Sequence, residues 1–271
     1  KNNYLVISTS RNKKRLNKNK IFLDLSKIDN FTIPNNIDAT IFLASITKIK
    51  ECEDNYKLAY KVNGINTLKL INKLIEKNIF VCFLSSSIVF KNKTNLPKED
   101  DNHQPKSNYA KLKSFVEKNI FKLTKKIKKE KLLCILRVTK NVDTFTEPFN
   151  AWIRQINKRS KFSAFKDLYF SPITFHDTTK IILKIVKKKY HGNYHISGER
   201  DINYSDFAKK LLKYNNLSHN LLHSCFSYEK NIKLYSNNRI TGLDMKKTSK
   251  IVKIKPTKIK KILKLFSNKI N

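Results

Sequence analysis

The chain has 271 residues, a net charge of +36 and an apolar share of 40%, enough to bury one large domain or two unequal ones. No apolar run approaches the roughly 18 residues of a membrane-crossing helix, so no membrane partner is expected. The lysines are scattered through every segment rather than gathered with arginines and aromatics on one element, which argues for compositional drift and against a nucleic-acid partner.

In chain order, 4–9 (YLVIST), 20–25 (KIFLDL) and 38–45 (DATIFLAS) read as strands. A helix is predicted from about Tyr56 to Lys77, with Leu58, Val62, Leu68, Ile71 and Leu74 near a 3.6-residue period. The continuous apolar run 79–86 (IFVCFLSS) suits a parallel strand covered on both faces. A long helix over about 107–128 follows a proline-containing loop, and 131–139 (KLLCILRVT) is another buried strand. Strands separated by such helices imply right-handed crossovers and an α/β fold with a Rossmann-like, doubly wound parallel sheet.

Beyond residue 140 the regularity breaks into a short helix, a strand–loop–helix unit (171–189), a strand at 192–198 and a polar helical remainder. The reading is a Rossmann-like unit over 1–140, rejoined by 168–198, and a smaller α/β unit from 141–167 and 199–271. The last helix starts near Pro256 and presents Ile259, Ile262, Leu263 and Phe266 on one face, which packs on the smaller unit. Cys52, Cys82, Cys134 and Cys225 form no C-x-x-C pair, and the polar, basic opening does not read as a secretory signal. Reduced thiols and a cytoplasmic location are expected. His219 and His223, spaced four apart with Cys225 nearby, have no glutamate between them, and no metal site is expected.

Tyr109 and Lys113 stand four apart on the long helix, so their side chains share a face. A nearby ammonium favours the phenolate and is expected to lower the Tyr109 pKa, poising it for proton transfer. Ser86 lies 23 residues earlier, at the C-terminal edge of a parallel strand, where open α/β sheets bind ligands. Its hydroxyl can hydrogen-bond an oxygen whose proton the tyrosine gives or takes.

With these residues in place, the chain resembles the extended short-chain dehydrogenase/reductases, the nucleotide-sugar epimerase/dehydratase and dTDP-4-dehydrorhamnose reductase group. The resemblance runs over nearly the whole chain: DATIFLASIT, CEDNYKLAYKVNGINTLKLI, FLSSSIVF to NYAKLK, SPITFHDTTKII, GNYHISG and LDMKKTSKIVKIKP. Aligning Val89 and Phe90 with the family's Val-Tyr or Val-Phe selects Ser86 among the three serines. The resemblance implies an NAD(P)-dependent keto-sugar reductase acting on a nucleotide sugar, with Tyr109 as proton donor and Ser86 orienting the carbonyl. Lys113 would lower the tyrosine pKa and hold the nicotinamide ribose. Asp24 and Leu25 would edge the adenine, Leu43, Ala44 and Ser45 would line the cofactor, and Arg11, just after the run 4–9 that corresponds to the family's second strand, favours NADP over NAD. A homodimer is the family's implied assembly.

The sequence departs from the family in three places. The first glycine is Gly64, so no glycine-rich phosphate loop is present, and the chain is expected to be a fragment lacking an N-terminal βα unit. Ser87 stands where the reductases and dehydratases often carry an acid, which argues against dehydration. The segment after Arg137 lacks the usual Val-Tyr-Gly. A nucleotide-sugar 4-epimerase using the same three residues, and a non-catalytic cofactor-binding homologue, are the rival readings.

Overall fold

The computed structural model describes residues 4–90, 95–232, 234 and 239–271. Its elements run β1 (Ser8–Ser10), β2 (Lys20–Phe22), β3 (Ala39–Phe42), α1 (Ile49–Asp54), α2 (Tyr56–Ala59), α3 (Thr67–Glu76), β4 (Phe80–Ser86), α4 (Asn108–Lys126) and β5 (Leu133–Val138). Then come β6 (Lys140–Val142), α5 (Phe149–Asn157), β7 (Phe162–Phe165), β8 (Tyr169–Phe170), β9 (Pro172–Thr174), α6 (Phe175–Lys188) and β10 (Gly192–Ile196). The chain closes with β11 (Ile202–Asn203), α7 (Tyr204–Tyr214), β12 (Leu222–Cys225), α8 (Lys246–Val252) and α9 (Ile259–Ser267).

A four-stranded parallel sheet of order β10-β5-β4-β3 forms the centre. Its strands β4 and β5 are mostly apolar because both faces are covered, and strand alternation sorts their apolar residues into two clusters. Val81, Phe83, Leu133 and Ile135 pack with residues of α3 and α4 on one face. Phe80, Cys82, Cys134 and Leu136 pack with Ile181, Ile182 and Ile185 of α6 and with Met245 and Val252 on the other. This is the doubly wound α/β arrangement expected.

A third cluster lies in the C-terminal half, where Phe149, Trp152, Phe170, Tyr204, Phe207 and Phe266 meet between α5, α7 and α9. Ile259, Ile262, Leu263 and Phe266, the predicted stripe of α9, all join it. Gly198 lies where the two halves touch: a Cβ there would meet the Pro172 carbonyl oxygen at 2.3 Å, so only glycine fits the close approach.

Several elements differ from expectation. The predicted helix over 56–77 is interrupted by a π-helical segment, Tyr60–Asn66, before regular α3 begins. Among the described residues, β1 and β2 pair only with each other, and the central sheet ends at β3. The strand expected over 4–9 is reduced to Ser8–Ser10, since Tyr4, Leu5 and Val6 are exposed and pair with no strand among the described residues. Pro256 precedes α9, whose N-cap position is Lys258. Met245 and α8, read with the smaller unit, pack on the central sheet because Val252 is buried among its apolar residues. His219 lies in a short 3-10 turn and His223 on β12, so the helical spacing assumed for them does not exist.

Candidate active site

The C-terminal end of β4 carries the serines. Ser86 Oγ accepts the Ile88 N–H at 3.4 Å and caps the turn that follows the strand. Ser85, only 6% exposed, has a buried hydroxyl without a hydrogen-bond partner. Alternation along the strand puts Ser85 on the face of Val81 and Phe83, the face that α4 covers, while Ser86 follows Leu84 at the strand's edge.

Two devices start α4 at this spot. The Ser107 hydroxyl accepts the Ala110 N–H at 3.3 Å, and the Asn108 N–H donates to Glu53 Oε1 at 2.6 Å. Tyr109, the second residue of the helix, is half-buried against the core. Lys113 is 5% exposed, and its ammonium donates to the Leu84 carbonyl at 2.9 Å. The same nitrogen lies 4.7 Å from the centre of the Phe83 ring and 5.9 Å from that of Tyr109. The structure therefore brings Tyr109 and Lys113 together at the end of β4.

The electrostatics correct one expectation. Burial pushes the Tyr109 phenol up to about 12, with Cys52 adding to the shift, and no compensation from Lys113 is resolved. The ammonium lies near the tyrosine ring and is bonded to Leu84. Lys113 itself is pushed down to about 8 by burial, against an opposing pull from Glu117. It thus remains largely protonated at neutral pH. Burial also pushes the nearby Cys52 thiol up to about 11.

Below this pair lies a buried polar layer that sequence reasoning missed. Arg137 Nε and Nη2 both donate to Glu117 Oε2, at 3.0 and 2.8 Å. Arg137 Nη1 donates to the Glu99 carbonyl at 2.8 Å and lies 3.2 Å from His195 Nε2. Burial, and then the Arg137 charge, push His195 down to about 3, so it is neutral and its Nδ1–H donates to the Asp244 carbonyl at 3.0 Å. His103 closes the layer, with Nε2 3.4 Å from Glu117 Oε2 and Nδ1 2.9 Å from Ser114 Oγ. A signal existed: Glu117 is the one acid in the helix NYAKLKSFVEKNIFKLTKK, and Arg137 the one charge in the strand LCILRV.

The cofactor-side residues divide. Leu43, 58% exposed, Ala44 and Ser45 follow β3, the strand next to β4. Asn63, within the π-helical segment, steadies that loop by accepting the Ile46 N–H and donating to the Ile46 carbonyl, both at 2.8 Å. Leu25 is a core residue in the cluster that holds Phe42 and Phe83. Asp24 accepts the Ser26 N–H at 2.8 Å. That bond first, and the Arg11 charge among lesser causes, hold its carboxyl low. Arg11 is exposed just after β1 and acts electrostatically on Asp24.

The family profile described as RmlD substrate binding domain matches residues 1–271. No curated relative matches the chain. Among solved structures, the dTDP-4-dehydrorhamnose reductase of Yersinia enterocolitica superposes with a TM-score of 0.76 at 19% identity, covering 95% of this chain and 93% of that one. The dTDP-4-dehydrorhamnose reductase of Bacillus anthracis, in complex with NADP, gives 0.71 at 21% identity over 84% of this chain and 79% of that one. RMD from Pseudomonas aeruginosa, complexed with NADPH, gives 0.74 at 15% identity over 95% and 92%. These likenesses establish the shared fold, and the profile match along the whole chain establishes the kinship: the chain belongs to the RmlD substrate-binding domain family.

Proposed function

We propose that this protein is an NAD(P)-dependent oxidoreductase that reduces a keto group on a nucleotide sugar. The observation that carries the reading is the pairing of buried Lys113 with Tyr109 at the C-terminal end of β4, beside the serines. Family membership and the reductase neighbours crystallised with NADP and NADPH support it.

The residues fit the ribose half of a nicotinamide cofactor. An ammonium has three N–H donors, and one of Lys113's is taken by Leu84, which leaves donors for ribose hydroxyls. Leu43, Ala44 and Ser45 would line the cofactor and Arg11 would meet a 2′-phosphate. None of the four glycines, Gly64, Gly192, Gly198 and Gly242, lies in a turn between a strand and the helix after it, so a pyrophosphate cradle is not among the described residues. When bound, the reduced nicotinamide supplies hydride to the carbonyl carbon. Ser86 orients the carbonyl oxygen, and Tyr109, kept protonated by its burial, donates the proton that the new alkoxide takes up. Lys113 places positive charge beside the tyrosine as its proton leaves.

Turnover with a keto-sugar nucleotide and NADPH tests the reading, with one NADPH expected to be consumed per hydroxyl formed. Interconversion of sugars without net NADPH loss would establish the epimerase instead, and cofactor binding without any turnover the non-catalytic homologue.

A further inference from the structure

Two phenylalanines that belong to none of the apolar clusters stack on each other in the open. Phe145 is 66% exposed and Phe175 39%, with ring centres 5.5 Å apart and planes inclined by 29°. Phe145 lies three residues beyond β6 and Phe175 opens α6 directly after β9, and those strands pair in parallel with Val142 opposite Thr174. Both supports are tied down. The Thr146 hydroxyl donates to the Asp143 carbonyl at 2.8 Å, and the Thr174 hydroxyl caps α6 by accepting the Asp177 N–H at 3.1 Å. A stacked pair held in water gives up the gain of burial, which marks a contact surface for something flat and apolar.

The pair stands on the edge of the sheet that carries the candidate site. β6 begins two residues after Val138, the residue opposite Ser86, so the run from Val138 to Phe145 spans at most about 25 Å. α6 leads back to β10, which runs parallel to β5 and β4, so its first turn lies at the C-terminal edge of these strands. There the Thr178 hydroxyl donates to Asn141 Oδ1 of β6 at 2.6 Å. Lys140 lies between Val138 and Phe145. The residue is open to solvent in part, its surroundings desolvate the ammonium and lower its pKa, and that ammonium bonds to no group among the described residues. Outwards from Ser86 the edge thus presents a hydroxyl, an unpaired ammonium and a flat apolar shelf. A nucleotide sugar carries its sugar, diphosphate and base in that order. We propose, on the substrate reading given above, that Phe145 and Phe175 form the shelf on which the base of the nucleotide sugar stacks, with the Lys140 ammonium on its diphosphate.

Calorimetry with dTDP, UDP and GDP as probes, and with inorganic pyrophosphate as the probe that lacks a base, tests the shelf without turnover. At least one nucleoside diphosphate is expected to bind, and Phe145→Ala to weaken it by roughly tenfold, within the range for losing one stacked base. Pyrophosphate should be unaffected by that substitution, whereas Lys140→Met should weaken both kinds of probe. Phe145→Trp restores a ring and should keep the nucleotide affinity, with its fluorescence quenched as the base stacks. Phe145 is exposed, so its variants should keep the thermal midpoint of the wild type. Unchanged nucleotide affinity in Phe145→Ala combined with Phe175→Ala overturns the proposal, as does failure of every nucleotide to bind the wild type. A loss of NADPH affinity in place of nucleotide affinity overturns it too, since the rings would then hold the cofactor. Nucleotide binding that depends on Phe145, in a protein that reduces no keto sugar, would sink only the functional reading.

Discussion

The two halves of the molecule bury very different things. In the C-terminal half, Phe149 meets Trp152, Phe170, Tyr204, Phe207 and Phe266 with ring centres 5.3 to 5.8 Å apart. At the end of the central sheet the buried groups are Lys113, Glu117, Arg137 and His195, with Glu117 Oε1 left unpaired. Aromatic pairs add about 0.5–1.5 kcal/mol each beyond the burial of their area. A buried ion pair is often matched or bettered by an apolar replacement. The aromatic half is therefore what stability alone selects, whereas the sheet end carries groups that stability does not need.

The sharpest break of this comparison is Tyr109→Phe. Losing the proton donor is expected to lower turnover by about 10²–10⁴, the range of general acid–base catalysis. Stability should barely change, since the ring still packs on the core. Equal kcat in the phenylalanine variant, with an unaltered circular dichroism spectrum, would show that the phenol gives no proton.

Phe149→Ala probes the other half in the opposite sense. Truncating a fully buried ring at the centre of five aromatic contacts is expected to cost about 3–5 kcal/mol in urea unfolding. The two variants should thus separate: one loses chemistry and keeps its fold, the other loses fold stability. A loss under about 1 kcal/mol would mean that the aromatic cluster relaxes into the cavity.

What the sequence made visible follows the same division. β4, β5 and α4 were legible because continuous apolar runs and a 3.6-residue stripe report burial directly, and burial is what places Tyr109 and Lys113 at the strand end. The terminal stripe Ile259, Ile262, Leu263 and Phe266 was legible for that reason too. The contact between Glu117 and Arg137 was not, since it joins residues 20 apart through a register that only the folded sheet defines. Nor was the π-helical turn around Asn63, whose side chain serves a loop 17 residues away. The separation of β1 and β2 from the sheet is likewise a matter of partners, which local pattern does not encode.

Lys113→Met tests whether the sheet-end charge is a cost to folding. Lys113 titrates near 8 in the native protein against an ordinary 10.5. Between those values the unfolded chain holds a proton that the native state has released, so this group's contribution to stability rises with pH. Measured against the methionine variant, wild-type stability should climb by about 2–3 kcal/mol from pH 8 to 10. The window stops there because Tyr109, raised to about 12, acts in the opposite direction at higher pH. A difference that stays flat across the window would place the ammonium in water.

The smallest effect is expected at a charge outside both regions. Arg11 is exposed and close enough to Asp24 to help hold its carboxyl low, so it costs folding little and is free to meet a ligand. If it receives a 2′-phosphate, Arg11→Asp removes one charge-assisted contact and puts repulsion in its place. NADPH binding should then weaken by about tenfold, or roughly 1.4 kcal/mol, in calorimetry. NADH has no phosphate at that position, and its affinity should move much less. The urea midpoint should stay in place, because an exposed substitution away from a packed feature usually changes stability by less than about 0.5 kcal/mol. The buried and exposed cations are thereby set apart: Lys113 changes folding with pH, and Arg11 changes only which cofactor is held. Equal weakening of both cofactors would remove Arg11 from the phosphate site and leave the preference for NADP without a residue to carry it.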